Sequence, residues 1–295
     1  MQILHRIAEV RAQVTAWRQS AERIALVPTM GNLHRGHIRL VEEAQGLTER
    51  SVASIFVNPL QFSADEDYGG YPRTLEEDSR QFERVGLELL FAPSAAEVYP
   101  NGPQGMTRVE VPELSFILCG AFRPVHFTGV ATVVTKLFNM VQPDVAVFGE
   151  KDWQQLMVIR RLTADLNLPV EIVGVPTVRE ADGLAMSSRN GYLSAAERAV
   201  APTLYQTLLA AAERLQEGRG DYRAIEEAAL ATLQEAGFRP DYVAIRRPWD
   251  LGEPAADAAE LRILAAAWLG RARLIDNCPV ILPGRDRLSA VDPTP

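Results

Sequence analysis

Two histidines in a glycine-containing turn are the clearest chemical feature of this chain. His34 and His37 lie in the segment 28–37, which follows a short apolar run at 24–27 and precedes a helical pattern. A strand, a turn and a helix in this order present backbone N–H groups to a phosphate. Two imidazoles beside a helix N-terminus add donors where negative charge develops. No Gly-Lys-Ser or Gly-Lys-Thr follows, so the segment is not a Walker loop and predicts phosphate chemistry of another kind.

Two other interpretations of this turn remain open from the residues alone. The histidines could be solvated turn residues, or they could form half of a metal site. The remaining histidines of the chain are His5 and His126, which disfavours a histidine-rich zinc site. The strand in front of the turn favours phosphate binding.

A second segment, 183–191, combines two hydroxyls and a cation between glycines. Ser187, Ser188 and Arg189 could hold a triphosphate, and flanking glycines permit movement. The same residues also fit a plain interdomain loop. Together with the histidine turn, however, the segment resembles the second signature motif of the nucleotidylyl-transferase superfamily, which includes class I aminoacyl-tRNA synthetases. The resemblance implies that the turn binds an adenylate and that this loop closes over pyrophosphate.

Polar residues also follow two further apolar runs, at 145–148 and 52–57. Lys151 could reach a phosphate as a point charge, whereas Asp152 could accept from a ribose hydroxyl or simply cap a helix. Gln155 lies one turn further along, on the same side as Asp152. Gln61 follows an Asn-Pro turn and offers both a donor and an acceptor to a small polar substrate.

The segment 123–129 is a loop bracketed by proline and glycine ahead of a helix. Arg123 and His126 could line a cleft near an anionic substrate, although His126 fits a buried structural role equally well.

The apolar pattern predicts an α/β fold, a Rossmann-like doubly wound parallel sheet with a smaller C-terminal α+β domain. Strands are predicted at 24–27, 52–57, 88–91, 145–148 and 170–175, and helices between them at 38–47, 75–85, 130–141 and 154–166. In such sheets ligands bind where the strands end, and the polar motifs fall at those ends. We therefore expect the domain 1–178 to bind a nucleotide and a small polar substrate in one cleft.

The second predicted domain, 179–295, has a different pattern. A capping box at Ser194 predicts one long helix whose buried stripe includes Leu204 and Leu208. A second helix at 222–236 and three strands at 242–246, 262–269 and 272–276 follow, which favours an antiparallel sheet. This domain is expected to act as a lid.

Composition excludes several classes of protein. The net charge of −8 disfavours nucleic acid as a partner. The two distant cysteines, Cys119 and Cys278, indicate no disulfide framework and favour the cytoplasm. Residues 1–17 resemble an amphipathic helix and not a signal peptide, and no apolar run is long enough for a membrane span.

Five motifs occur in order along nearly the whole chain, and together they resemble the pantothenate synthetase (pantoate–β-alanine ligase) family of that superfamily. They lie at 28–37, 58–62, 123–130, 149–152 and 186–190. Two residues depart from the expected pattern. Cys119 stands where Glu or Ser is common, and Val125 stands where Gly usually follows Arg-Pro.

The resemblance implies a two-step ligation through pantoyl adenylate, with release of pyrophosphate and then AMP. It implies ATP as a substrate, Mg²⁺ held mainly by phosphates, pantoate and β-alanine as the other substrates, pantoate binding within the domain 1–178, and a homodimer. His34, His37, Lys151, Ser187, Ser188 and Arg189 would be catalytic. The implied ATP-binding residues are Met30, Gly31, Asn32, Leu33, His34, Arg35, Gly36, His37, Gly149, Glu150, Lys151, Asp152, Val178, Met186, Ser187, Ser188 and Arg189. The implied substrate-binding residues are Asn58, Gln61, Arg123, His126 and Gln155.

Three other functions are compatible with the fold alone. Another nucleotidylyl transferase would act on a phosphate, and the Gln61 and Gln155 pair argues against that. A tRNA synthetase would need a basic face or an anticodon-binding extension, and the sequence pattern indicates neither, which disfavours this function. A non-catalytic nucleotide-binding regulator is the remaining alternative, and the presence of both histidines and Lys151 argues against it.

Overall fold

The chain forms two compact units in the computed structural model, which describes residues 1–63, 68–218, 221–255 and 257–283. The first unit comprises residues 1–150 and 158–176, and the second comprises residues 151–157 and those from 177 onward. Residues 284–295 of the predicted second domain lie outside the described ranges. Among the helices described, none has the length and apolar character needed to cross a membrane.

The first unit is built on a six-stranded sheet in the order β1-β4-β3-β2-β5-β6, and every neighbouring pair is parallel. Its strands are β1 (Gln2–Leu4), β2 (Ile24–Thr29), β3 (Arg50–Ile55), β4 (Leu89–Phe91), β5 (Val145–Gly149) and β6 (Glu171–Val175). Successive residues of β2 from Ile24 to Val27 are fully buried, so both faces of the sheet are covered. The predicted parallel α/β fold is confirmed.

The connections of the sheet are mostly helical. The helices are α1 (Ile7–Gln19), α2 (Arg35–Leu47), α3 (Leu75–Arg84), α4 (Ala95–Val98), α5 (Cys119–Phe122), α6 (His126–Val141) and α7 (Trp153–Asp165). Ile38, Val41 and Ala44 of α2 pack in one apolar cluster with Ala25 and Val27 of β2. This packing fixes the turn between β2 and α2 against the centre of the sheet.

The prediction of a helix over residues 1–17 is wrong at its start. Gln2–Leu4 pair with Leu89–Phe91 as the edge strand β1, and the helix begins only at Ile7. A three-residue strand is too short to show a period of two in the sequence, and its partner is remote in the chain.

The second unit pairs helices with an antiparallel sheet. Its elements are α8 (Ala195–Val200), α9 (Thr203–Gln216), α10 (Tyr222–Glu235), β7 (Arg239–Arg246), β8 (Glu260–Leu269) and β9 (Ala272–Ile281). The sheet order is β7-β8-β9, with both pairs antiparallel, and α9 and α10 pack against it. The predicted small α+β fold is confirmed.

The single long helix predicted from Ser194 is two helices. The Ser194 capping box is present, but α8 ends at Val200 and α9 begins at Thr203, with Pro202 between them. Proline has no N–H to donate to the carbonyl four residues earlier, so the helix is interrupted there. The predicted stripe of Leu204 and Leu208 is buried.

Candidate active site

The histidine turn (residues 30–37) joins β2 to α2 in the first unit. Gly31 and Asn32 both have left-handed backbone, with φ of +81° and +52°. A Cβ on Gly31 would also lie 2.9 Å from Oδ2 of Asp78, so this position requires glycine for conformation and for space.

Asp78, in α3, holds this turn and was missed by the sequence analysis. Its side chain is 1% exposed, and its carboxylate accepts from the Asn32 N–H at 2.9 Å and from the Leu33 N–H at 2.8 Å. The Thr74 hydroxyl donates a third hydrogen bond at 3.0 Å. The available signal was its spacing, because Asp78 shares the buried face of α3 with Phe82 four residues later.

The two imidazoles cap the helix that follows. His34 is the N-cap residue of α2, and its Nδ1 accepts from the Gly36 N–H at 3.1 Å. Nδ1 of His37 accepts from the His34 N–H at 3.3 Å, and the ring centroids are 4.1 Å apart. An Nδ1 atom that accepts cannot carry a proton, so in this geometry a neutral ring carries its proton on Nε2.

Gln61 lies after β3, in the 3-10 helix Pro59–Gln61, and its amide is oriented by Asn58. Asn58 Nδ2 donates to Gln61 Oε1 at 3.0 Å and to the Gly129 carbonyl at 3.0 Å. Asn58 Oδ1 accepts from the Tyr99 hydroxyl at 2.7 Å and from the Leu60 N–H at 3.3 Å. The Asn58 amide is therefore fully used within the protein. Gln61 is 7% exposed, and its Nε2 has no acceptor among the residues that the structure describes.

The Tyr99 hydroxyl contributes to this arrangement as a donor. Burial raises the pKa of Tyr99, so the phenol stays protonated and continues to donate to Asn58.

Arg123 and His126 converge on the Gln61 backbone. Arg123 Nη2 lies 3.4 Å from the Gln61 carbonyl oxygen, and His126 Nδ1 lies 3.1 Å from it. Helix α6 starts at His126, four residues before the predicted start, and Gly129 permits close packing, since a Cβ there would lie 2.2 Å from the Leu60 carbonyl oxygen. The structure thus brings Arg123 and His126 to the predicted substrate glutamine.

In the first unit, predicted site residues follow the carboxyl ends of adjacent parallel strands. Strand β2 lies between β3 and β5 in the parallel order, so the histidine turn, Gln61 and the Gly149-Glu150 pair all follow neighbouring strand ends. The chain leaves β2 toward β3 on one side, while β5 lies on the other. This is the topological switch point at which open α/β sheets bind ligands.

In the second unit, Lys151 begins the segment that leads into α7. Its carbonyl accepts from Nδ2 of Asn277 at 3.0 Å, which holds its backbone to β9. Its ammonium group has no ion pair in the described part of the chain. Asp152 is exposed and Gln155 is half-buried, so both are accessible to a ligand.

The serine–arginine loop (residues 183–191) has a defined backbone conformation. Val178 accepts from the Met186 N–H at 3.0 Å, and Arg179 pairs with Ala185 in an isolated antiparallel bridge. Ser187 Oγ accepts from the Arg189 N–H at 3.2 Å and caps the 3-10 helix Ser188–Tyr192. The first part of the loop is therefore anchored to residues 178 and 179.

The predicted site residues divide between the two units. The first holds residues 30–37, Asn58, Gln61, Arg123, His126, Gly149 and Glu150, and the second holds Lys151, Asp152, Gln155, Val178 and residues 186–189. The described residues contain no group of three or more His, Cys, Asp or Glu placed to hold a metal ion. Both cysteines are buried thiols that form no disulfide with each other.

Three comparisons with known proteins agree on one family. A family model described as pantoate-beta-alanine ligase matches residues 2–279. A pantothenate synthetase from Thioalkalivibrio sulfidiphilus is 58% identical over 283 residues, covering 96% of this chain and 99% of that protein.

Solved structures show the same likeness. The crystal structure of pantothenate synthetase from Thermus thermophilus has a TM-score of 0.87 at 49% identity, covering 94% of this chain and 99% of its own. The pantoate-beta-alanine ligase from Francisella tularensis, complexed with beta-gamma ATP and beta-alanine, has a TM-score of 0.79 at 33% identity, covering 94% and 97%. The chain therefore belongs to the pantoate–β-alanine ligase family, as an ATP-dependent enzyme that joins pantoate to β-alanine.

Proposed function

We propose that the reaction proceeds through pantoyl adenylate and that the polar residues described above carry it in defined roles. The observation that supports this most directly is the tautomer of His34 and His37. Both Nδ1 atoms accept from backbone N–H groups, so both Nε2–H groups serve as donors at the N-terminus of the 13-residue helix α2. Donors and a helix dipole at one place stabilise charge that develops on a phosphate.

In the first step, a pantoate carboxylate oxygen attacks the α-phosphorus of ATP. A new P–O bond forms, the bond from the α-phosphorus to the bridging oxygen breaks, and pyrophosphate leaves with the electron pair. His34 and His37 donate to the α-phosphate as its charge grows. Lys151, Ser187, Ser188 and Arg189 bind the departing pyrophosphate by charge and hydrogen bonds.

Further residues of both units are assigned to the rest of the nucleotide. Asp152 accepts from a ribose hydroxyl, consistent with its exposure, and Gly149, Glu150 and the Val178 backbone bind the adenosine. The Val178 carbonyl already accepts from Met186, so nucleotide binding and the loop conformation share this residue. The remaining residues of the histidine turn, Met30 to Leu33 with Arg35 and Gly36, complete the ATP site.

Pantoate is bound by Gln61 and Gln155 through its hydroxyls and carboxylate. The buried Gln61 amide offers Nε2 as a donor, because Asn58 occupies its oxygen. Asn58 acts through Gln61, since its own amide is fully used. Arg123 and His126 lie beside Gln61 and add positive charge and hydrogen-bonding capacity near the carboxylate.

In the second step, the neutral amine of β-alanine attacks the acyl carbonyl of the adenylate. The C–N bond forms, the C–O bond to the phosphate breaks, AMP leaves with the electron pair, and the nitrogen releases one proton to solvent. The mixed anhydride also reacts with water, so the site must exclude water until the amine attacks.

Magnesium is proposed as the accompanying ion. Mg²⁺ keeps several waters and is usually held by substrate phosphates with few protein ligands, which supports an ion bound mainly through the triphosphate. When bound, Mg²⁺ neutralises triphosphate charge. Exchange activity lost on chelation and restored by added Mg²⁺ supports this assignment, and activity that survives full chelation contradicts it.

A cytoplasmic homodimer is proposed as the working form. The family resemblance supports the dimer, and two buried cysteines that are not joined in a disulfide fit a reducing compartment. Analytical ultracentrifugation tests the dimer, and a mass equal to one chain across micromolar concentrations would overturn it.

The decisive experiment is pantoate-dependent exchange of labelled pyrophosphate into ATP, with Mg²⁺ and without β-alanine. Exchange that requires pantoate supports the acyl-adenylate half-reaction. Tight ATP binding without exchange overturns the proposed mechanism.

A further inference from the structure

Three polar side chains are buried on two adjacent strands of the second unit's sheet. Asp276 and Asn277, adjacent on β9, are 3% and 4% exposed, and Arg262 on β8 is 6% exposed. Asp276 alternates along β9 with the apolar core residues Leu274 and Cys278. Asn277, the next residue, lies on the opposite face of the sheet. Burying charged and amide groups is costly unless they are paired, so the hydrogen-bond partners of these three residues indicate their role.

Asp276 holds the start of the serine–arginine loop through Arg179. The guanidinium donates to both carboxylate oxygens, at 2.6 Å and 2.9 Å, and also to the Gly183 carbonyl at 3.1 Å. Its central carbon lies 3.3 Å from the centroid of the Tyr205 ring. Arg179 is therefore fixed on both sides and cannot shift without releasing Gly183.

Asn277 holds the Lys151 segment. Its Nδ2 donates to the Lys151 carbonyl at 3.0 Å, and its Oδ1 accepts from Arg262 Nη1. The Arg262 guanidinium in turn stacks on the indole of Trp153, two residues beyond Lys151, at 3.2 Å from the ring centroid. Trp153 Nε1 donates to the Pro248 carbonyl at 2.8 Å. The segment is thus held by its backbone and by a side chain.

The residues that hold these two segments are adjacent on one strand, β9. Successive residues of a strand point to opposite faces, so Asp276 and Asn277 reach different segments from adjacent positions. They are also bonded to each other, since Asp276 Oδ1 accepts from the Asn277 N–H at 2.8 Å, and Arg179 Nη2 lies 3.4 Å from the Asn277 carbonyl.

We propose that Asp276 and Asn277 are positioning residues for ATP, which hold the Lys151 segment and the serine–arginine loop at a fixed separation. This inference rests on the proposed role of both segments in binding the triphosphate. Lys151 and Arg189 must reach one triphosphate together, and both side chains are long and flexible. Anchoring their backbones to one rigid strand reduces the cost of bringing the two cations to the same ligand.

The sharpest test is Asn277→Asp. This substitution conserves size and keeps an oxygen for Arg262, but it replaces the donor facing the Lys151 carbonyl with an acceptor. We expect kcat/KM for ATP in pantoate-dependent exchange to fall about tenfold, with the KM for pantoate unchanged, because a displaced cation weakens ATP use alone. Val280→Ala is the matched control, because Val280 is buried on the same strand and its substitution removes only apolar contacts.

A double-mutant cycle separates positioning from general stability. If Asn277 acts through Lys151, Asn277→Asp should lower kcat/KM for ATP by less than about twofold in a Lys151→Ala background, because the effects of coupled residues are not additive. ATP affinity measured by calorimetry provides the same comparison where exchange is too slow to follow. Two results overturn the proposal. One is an equal loss of kcat/KM for ATP on Asn277→Asp in the wild-type and Lys151→Ala backgrounds. The other is a change in the KM for pantoate in Asn277→Asp that equals the change in Val280→Ala.

Failure of the proposed mechanism has a different signature. Wild-type protein without exchange would refute the adenylate step itself. Normal wild-type exchange with an unaltered Asn277→Asp enzyme would refute only the positioning role.

Discussion

The histidine turn of the first unit and the serine–arginine loop of the second are anchored by opposite devices. The turn is held by one buried carboxylate, Asp78, which accepts directly from two backbone N–H groups. The loop is held by a guanidinium, Arg179, whose charge is balanced by Asp276. Burial by itself lowers the pKa of Arg179, but the hydrogen bonds and charge of Asp276 raise that pKa overall, so the anchor stays charged.

This difference shows what each segment leaves for a phosphate. In the turn, Asp78 uses the Asn32 and Leu33 N–H groups, and His34 accepts from those of Gly36, His37 and Ile38. The proposed donors to a phosphate are therefore the Nε2–H groups of the two imidazoles. In the loop, the anchoring charges neutralise each other, so Arg189 contributes its full positive charge. The first unit therefore offers oriented neutral donors, and the second offers cations.

The largest expected effect concerns the oriented donors. His37→Ala removes a donor at the α-phosphate and the cap on the His34 N–H. We expect adenylate formation to fall roughly 10²- to 10³-fold, the scale for one charge-stabilising donor. Pantoate-dependent pyrophosphate exchange measures it, with His5→Ala, an exposed histidine of the same unit, as the control. Near-normal exchange in His37→Ala would contradict the assigned role.

Removal of a cation from the second unit should affect ATP selectively. We expect Lys151→Ala to lower kcat/KM for ATP by about 10²-fold through lost charge stabilisation, with a smaller change in pantoate binding. Steady-state kinetics with each substrate varied in turn distinguishes the two. An unchanged KM and kcat for ATP would show that the second unit does not supply its cation through Lys151.

The anchor of the turn should matter less than the donors it orients. Asp78→Asn places an amide donor opposite the Asn32 or Leu33 N–H, so the turn should shift and exchange should fall by about tenfold to 10²-fold. Glu76→Gln, at an exposed position of the same helix, serves as the control. Wild-type exchange in Asp78→Asn would show that the turn keeps its shape without this carboxylate.

The smallest effect should come from Arg189→Lys, which keeps the charge. If the loop acts mainly as a source of positive charge, kcat/KM for ATP should fall by only about two- to fivefold, because a lysine lacks the planar fork but remains a cation. Arg189→Ala should then cost distinctly more. Equal losses in the two variants would indicate that bidentate geometry, and not charge, is what the loop supplies.

The sequence by itself determined five of the six strands of the first unit's sheet, β2 to β6, and the placement of the motifs at their ends. Continuous apolar runs separated by helical patterns are typical of strands buried on both faces, and the ends of parallel strands necessarily meet at one edge. The residues that follow β2, β3 and β5 could therefore be assigned to a common edge without coordinates. Local signals also predicted the Ser194 capping box and the buried stripe of α9.

Only the tertiary structure decided which residues hold those motifs in place. Asp78 bonds to N–H groups 45 and 46 residues away, and Asn277 bonds to a carbonyl 126 residues away. In the sequence, Asp78 resembles the last of three acidic residues in the first turn of a helix, and Asn277 is one polar residue in a strand. Periodicity reports which face of an element is buried but not what lies opposite it, since that partner is chosen by packing between segments distant in the chain.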